Sequence, residues 1–260
     1  MNRTQYTPDT SDLTSPGERS SASAAPRRYS GRPTQHALFM PLHYEPNYAY
    51  PLLVWLHGQH DDETQLRRIM PGVSTRNYVA VAPRGTLELG CDARGRARFG
   101  WAEAEGHVLL AEQRIFECMD VATSKMRIAA HRVFLAGSGA GGSTAFRVAL
   151  KYPDLFAGVA SLGGPFPHGR TPLARLTDAR RVSVLITNGR GSRSYDDQQL
   201  CDDLRLLHAA GMDVTLRIYS GTEELGPQVL GDLDRWIMDL VTGGPRNAPA
   251  DRATLWEDRL

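Results

Sequence analysis

At 260 residues, with 41% hydrophobic and 23% charged side chains, the chain is long enough for one large α/β domain or two small ones and has the balance of an ordinary folded protein. A formal net charge of +1 excludes a broad basic field for nucleic acid and an acidic tail. No apolar run approaches the roughly 18 residues of a membrane span, so none is expected.

Residues 1–33 are rich in Ser, Thr, Pro, Arg and Gly and poor in large apolar side chains. Such a segment cannot bury enough surface to offset its ordering entropy, so it is expected to be a flexible tail. It also lacks the apolar core of a signal peptide. Cys91, Cys118 and Cys201 lie far apart and in no metal-ligand spacing. An odd set of this kind suggests reduced thiols and a cytoplasmic protein with no metal or other cofactor.

From Thr34 the pattern becomes periodic. His36–His43 carries a strand-like run. Leu52–Leu56 is an unbroken apolar run, as expected of a strand buried on both faces. His57-Gly58-Gln59-His60-Asp61-Asp62 follows, and Asp61 or Asp62 is expected to cap a helix through Leu66, Ile69 and Met70. Tyr78–Pro83 predicts a further strand stopped by its proline. Residues 84–106 predict a long connection of the sort that contributes to binding sites; its Phe99 and Trp101, with Phe166 and Pro167, either line a pocket or pack as loop residues.

A helix is expected from His107 to about Ile128 and a strand at Arg132–Gly137. The Gly-rich turn Ser138–Gly142 then leads into a helix ending near Leu150. Gly158–Leu162, Val182–Thr187 and Val214–Tyr219 predict strands. Asp196–Ala210 and Pro227–Val241 predict helices, closed by Gly211 and by Gly243-Gly244-Pro245. Residues 244–260 are expected to form a second loose tail around a domain spanning 34–243. Strands alternating with helices imply a mostly parallel central sheet with helices on both faces and a site beyond the strands' carboxyl ends.

Gly137-Ser138-Gly139-Ala140-Gly141 has the outline of a nucleophile elbow, G-x-S-x-G, with Gly139 at the serine position. Four stretches extend the likeness: Leu52–Gln59 (LLVWLHGQ), Val133–Gly142 with Ala145–Leu150 after it, Lys151–Leu162 (KYPDLFAGVASL) and Val184–Trp236. Together the chain resembles the phospholipase/carboxylesterase (acyl-protein thioesterase-like) family of α/β-hydrolases. That resemblance implies an α/β-hydrolase fold and a Ser-Asp-His triad. It also implies oxyanion donors on the backbone of Gln59, in a loop shaped by His57 and Gly58, and of Ala140.

Aligned on the family's motifs, the nucleophile falls on Gly139, the acid on Ser192 in Asn188-Gly189-Arg190-Gly191-Ser192, and the base on Glu223 in Tyr219-Ser220-Gly221-Thr222-Glu223-Glu224. In this fold the base follows the acid in the chain, yet the last histidine is His208, within a helix before the final strand. Glycine cannot carry an acyl group. The expectation is therefore a degenerate member, a binding or regulatory module for a small acyl or ester-like ligand or for a protein partner. The alternative is an active ester hydrolase using Ser138 or Ser143 with Glu223 or His57. At a sharp turn Ser138 points away from the nucleophile's direction and is expected to bond local backbone. Ser143, in the first helical turn, is expected to satisfy free helix N–H groups. His57 and His60 lie three residues apart on one loop without a second ligand cluster, so His57 is expected to be structural.

Overall fold

The computed structural model describes residues 34–168, 173–221 and 225–243. Both predicted tails and Glu223 lie outside them. In chain order the elements are β1 (His36–Phe39), β2 (Tyr50–Leu56), α1 (Gln65–Val73), β3 (Val79–Pro83), β4 (Leu87–Cys91), β5 (Ala97–Gly100), α2 (Glu105–Lys125) and β6 (Ile128–Ser138). They continue as α3 (Ala140–Lys151), β7 (Gly158–Leu162), α4 (Leu176–Ala179), β8 (Ser183–Gly189), α5 (Asp197–Ala209), β9 (Val214–Tyr219) and α6 (Pro227–Thr242).

Seven strands form the central sheet in the order β1-β3-β2-β6-β7-β8-β9. β1 runs antiparallel to β3 and every other pairing is parallel. The unbroken apolar runs follow from this arrangement. Every residue of β2, β3 and β7 is buried, because helices cover both faces of a parallel sheet. One face carries α2, α3 and α5, which pack Ile115, Met119, Phe146, Leu150 and Leu200 over Leu52, Val54, Leu135 and Val184. The other carries α1 and α6, with Leu66, Met70, Leu233 and Ile237 over Leu53, Trp55, Phe134 and Leu185.

Several boundaries differ from the sequence expectation. β1 ends at Phe39 rather than His43, and the chain turns at Leu42-His43, where His43 takes a positive φ of 58°. β3 begins at Val79, one residue later than expected, and ends at Pro83 as expected. Pro83 is paired to His36, where edge pairing spares a missing N–H. Neither Asp61 nor Asp62 caps α1: the N-cap is Thr64, and Asp62 Oδ1 accepts the Thr64 N–H at 2.8 Å, one residue ahead of the helix. The predicted long connection folds into the β4–β5 hairpin, with weak alternation that conceals a strand pair half open to solvent. α2 stops at Lys125, and Ile128–His131 joins β6 instead of the helix.

The elbow is built by backbone packing against backbone. A Cβ on Gly141 would stand 2.3 Å from Leu56 O and 2.5 Å from His57 O, and one on Gly137 would stand 2.5 Å from Gly141 C. Gly231, midway along α6, faces open space. Gly141→Ala should therefore lower stability by about 1–3 kcal/mol in urea denaturation. Gly231→Ala should raise it by about 0.5–1 kcal/mol through helix propensity alone.

Candidate functional site

The register aligns the carboxyl ends of the central strands. Leu56 pairs with Gly137, Ser138 with Leu162 and Leu162 with Thr187. Hydrogen bonds carry the ladder one step past the strands: Gly139 N–H donates to Leu162 O and Gly163 N–H to Thr187 O, each at 2.9 Å. The loops leaving β2, β6, β7 and β8 are thus anchored at their roots and meet at one edge.

Between β6 and α3, Gly139 adopts φ 50° and ψ −121°. Positive φ at a single residue lets the chain reverse direction at once from strand to helix, and glycine takes it without steric cost. A Cβ on Gly142 would lie 2.2 Å from Ser161 Oγ, and one on Gly164 would lie 2.1 Å from Gly139 O. Small residues are therefore required on three sides of the turn. Ser143 Oγ donates to Pro165 O at 2.7 Å. It ties α3 to the loop after β7 and does not serve the helix N-terminus as expected.

His57 is fully buried behind Gly58. Gly85 N–H approaches its Nε2 at 2.8 Å, so Nε2 must accept, and Nδ1–H donates to Gly58 O at 2.7 Å. This fixes the neutral tautomer and engages both ring nitrogens. Burial pushes the imidazole below its usual range, against the smaller opposing effects of the Gly58 carbonyl and of Asp61, Asp62 and Glu63. His57 is therefore a clip joining the β2 and β3 loops, unable to share a metal with His60. Trp101 completes the clip: its Nε1–H donates to His57 O at 2.8 Å and its backbone N–H to Gln59 Oε1 at 3.2 Å.

Above this frame lies a cleft of about 550 Å³. It brings together Gly58, Gln59, Ser138, Gly139 and Ala140, all expected at the site, with Trp101, Ser143, Thr144, Arg147 and Ser194. As the first residue of α3, Ala140 has no intrahelical partner for its N–H. Ser138 is buried at 3% exposure and its Oγ would stand 3.3 Å from a Cβ on Gly58.

Ser192 does not line the cleft. Its N–H donates to Gly189 O at 3.1 Å, and its Oγ accepts from Tyr195 N–H at 3.3 Å in the turn after β8. Of the four pocket-wall candidates, Phe99, Trp101, Phe166 and Pro167, only Trp101 lines the cleft. Phe99 lies under the Arg84 guanidinium, 4.5 Å from its carbon, and Phe166 packs on Phe146 at 5.3 Å between ring centroids. Pro167 is buried beside it.

Asp203, which drew no attention in the sequence, holds two of the cleft's walls. It is fully buried on α5, and its Oδ2 accepts from Phe166 N–H at 2.8 Å and from Tyr195 O–H at 2.9 Å. His168 Nε2 stands 2.9 Å from Oδ1. One carboxylate thus joins the loop of Pro165 to the loop of Ser194. An acidic residue inside an amphipathic helix reads as surface until the helix's neighbours are known.

A family model described as "Putative esterase" matches residues 28–224, most of the chain. The chain belongs to this esterase family. Solved structures with the same fold include Arabidopsis thaliana SOBER1, at 20% identity over 75% of this chain and 100% of that one, with a TM-score of 0.61. A Bacillus cereus carboxylesterase matches at 19% identity over 81% and 96% with a TM-score of 0.62. A Mesorhizobium loti carboxylesterase matches at 20% over 72% and 88% with a TM-score of 0.60. No curated protein matches the chain significantly. The esterase-family sheet, a mostly parallel α/β-hydrolase core, is the frame on which the cleft described above is carried.

The buried His57 makes a prediction about pH. The unfolded imidazole takes up a proton near its ordinary value of 6.5, and the folded one resists protonation. Below that value the unfolded state binds more protons, so stability falls as pH drops, by up to about 1.4 kcal/mol per pH unit from this group. In urea denaturation from pH 7.5 to 5, His57→Asn should be less stable than the parent at pH 7.5, and the gap should narrow toward pH 5. A gap that stays constant would show that His57 does not titrate on unfolding.

Proposed function

We propose that this esterase-family chain is a degenerate hydrolase that has lost the serine-hydrolase cycle and keeps the cleft as a binding or regulatory module. One observation carries the reading. The residue at the apex of the β6–α3 turn, where an α/β-hydrolase carries its nucleophile, is Gly139, which has no side chain to acylate. Two further features support it. No histidine is among the described residues lining the cleft, although all eight histidines are described. Of the triad-equivalent positions, Ser192 offers a hydroxyl in place of a carboxylate, and Glu223 stands where the base is expected.

In this reading Gln59 and Ala140 retain the backbone donors of an oxyanion site, since replacing side chains leaves the backbone unchanged. The cleft then holds an acyl or ester-like group without cleaving it. Three free cysteines fit a reducing compartment, and a cytoplasmic location belongs to the same reading. No described helix is long and apolar enough to cross a membrane. The alternative nucleophile, Ser138, has in its favour that it lines the same cleft.

Purified protein tested with p-nitrophenyl acetate and a fluorophosphonate probe separates the two. The expected outcome is neither turnover nor labelling. Labelling that disappears in Ser138→Ala would overturn the pseudoenzyme reading. Combining Gly139→Ser, Ser192→Asp and Glu223→His should introduce measurable esterase activity. The serine at positive φ should cost about 1–2 kcal/mol of stability.

A further inference from the structure

We propose that the cleft takes a small organic carboxylate, and that Arg147 holds its charged end. The inference rests on the reading of the cleft as a retained binding site and names the ligand class. Ala140, Ser143, Thr144 and Arg147 follow the i, i+3, i+4, i+7 spacing of one helical face, and all four line the cleft. Arg147 is the one cation among the described lining residues and Glu103 the one anion. Their side chains are 3.6 Å apart, with Arg147 only 17% exposed and Glu103 79% exposed.

The asymmetry of this pair points to a replaceable partner. An exposed carboxylate at that distance holds a guanidinium weakly, because solvent competes for it. A ligand carboxylate entering the cleft meets the same guanidinium away from bulk water and can engage two of its N–H groups together. Two of the lining hydroxyls are already engaged as donors within the protein. Thr144 Oγ1 donates to Ala140 O at 2.9 Å and Ser143 Oγ to Pro165 O at 2.7 Å. α3 has no acidic residue in its first turn and no side-chain cap, so its N-terminal field adds to the attraction. A single guanidinium balances a single negative charge, which favours a carboxylate over a phosphate dianion. Trp101, Ala102 and Pro165 offer a short apolar wall for the body of the molecule.

The test titrates the full chain with sodium butanoate, butanamide and inorganic phosphate, following backbone amides by NMR. Butanoate should give saturable shifts at Trp101, Ala140 and Thr144, and butanamide should bind at least about tenfold more weakly. Arg147→Gln should raise the butanoate Kd by about tenfold or more, and Glu103→Gln should lower it about two- to fivefold. Equal binding of butanoate and butanamide would overturn the proposal, as would an unchanged Kd in Arg147→Gln. Tighter binding of phosphate than of butanoate would overturn the carboxylate assignment. If Arg147→Gln does not fold, the comparison of butanoate with butanamide on the unaltered chain still decides. Butanoate is not an ester, so its binding is read without turnover. Hydrolysis of p-nitrophenyl butanoate, measured in parallel, reports separately on whether the chain is a hydrolase.

Discussion

The architecture depends on close approach of backbones where β6 turns into α3. Gly137, Gly141 and Gly142 leave no space for a methyl group because the carbonyls of Leu56 and His57, the first turn of α3 itself and the Ser161 hydroxyl occupy it. Interiors are packed at crystal-like density, so such a contact is not relieved by small adjustments. The turn must be sharp for α3 to begin at the sheet edge, where its first residue, Ala140, lines the cleft. Glycine at positions 137 and 141 is therefore explained by packing, whatever chemistry the turn performs. Gly139 is different: it occupies the positive-φ apex, where glycine removes strain and, with it, any side chain.

A second set of contacts makes the cleft a rigid object. His57 joins the loops after β2 and β3, Trp101 reaches across to both His57 and Gln59, and Ser143 binds α3 to Pro165. Asp203 joins the two remaining walls from beneath. His57, Trp101 and Asp203 are buried, where an unmade hydrogen bond costs far more than one made gains. These hydrogen bonds tie the loops around the cleft to one another. Arg147 lines the same cleft, paired to the exposed Glu103.

Much of the fold was legible in the chain. The apolar runs at Leu52–Leu56, Val79–Ala82 and Gly158–Leu162 are strands because only a sheet covered on both faces can bury such runs, and their alternation with amphipathic helices implies parallel order. The β4–β5 hairpin escaped notice because its residues are half exposed and its charges interrupt any alternation. Pro83 marked the end of β3 correctly, at the position paired to His36 of the edge strand β1. Phe99, Trp101, Phe166 and Pro167 could not be sorted from sequence, since pocket wall and loop packing draw on the same residues.

By itself the sequence determined the periodic pattern of the sheet and helices, the place of the turn at 137–142 and the identity of Gly139 at its apex. Those are properties of local spacing and residue type, which the chain carries without reference to its fold. Only the tertiary structure decided that His57 faces inward with both nitrogens engaged, that Trp101 and not Phe99 reaches the cleft, and that Asp203 from a distant helix joins two loops. It also decided that Arg147 shares one cavity with the elbow. These depend on which strand ends lie side by side. Strand order sets that, and residues far apart in the chain become neighbours only when the sheet is assembled.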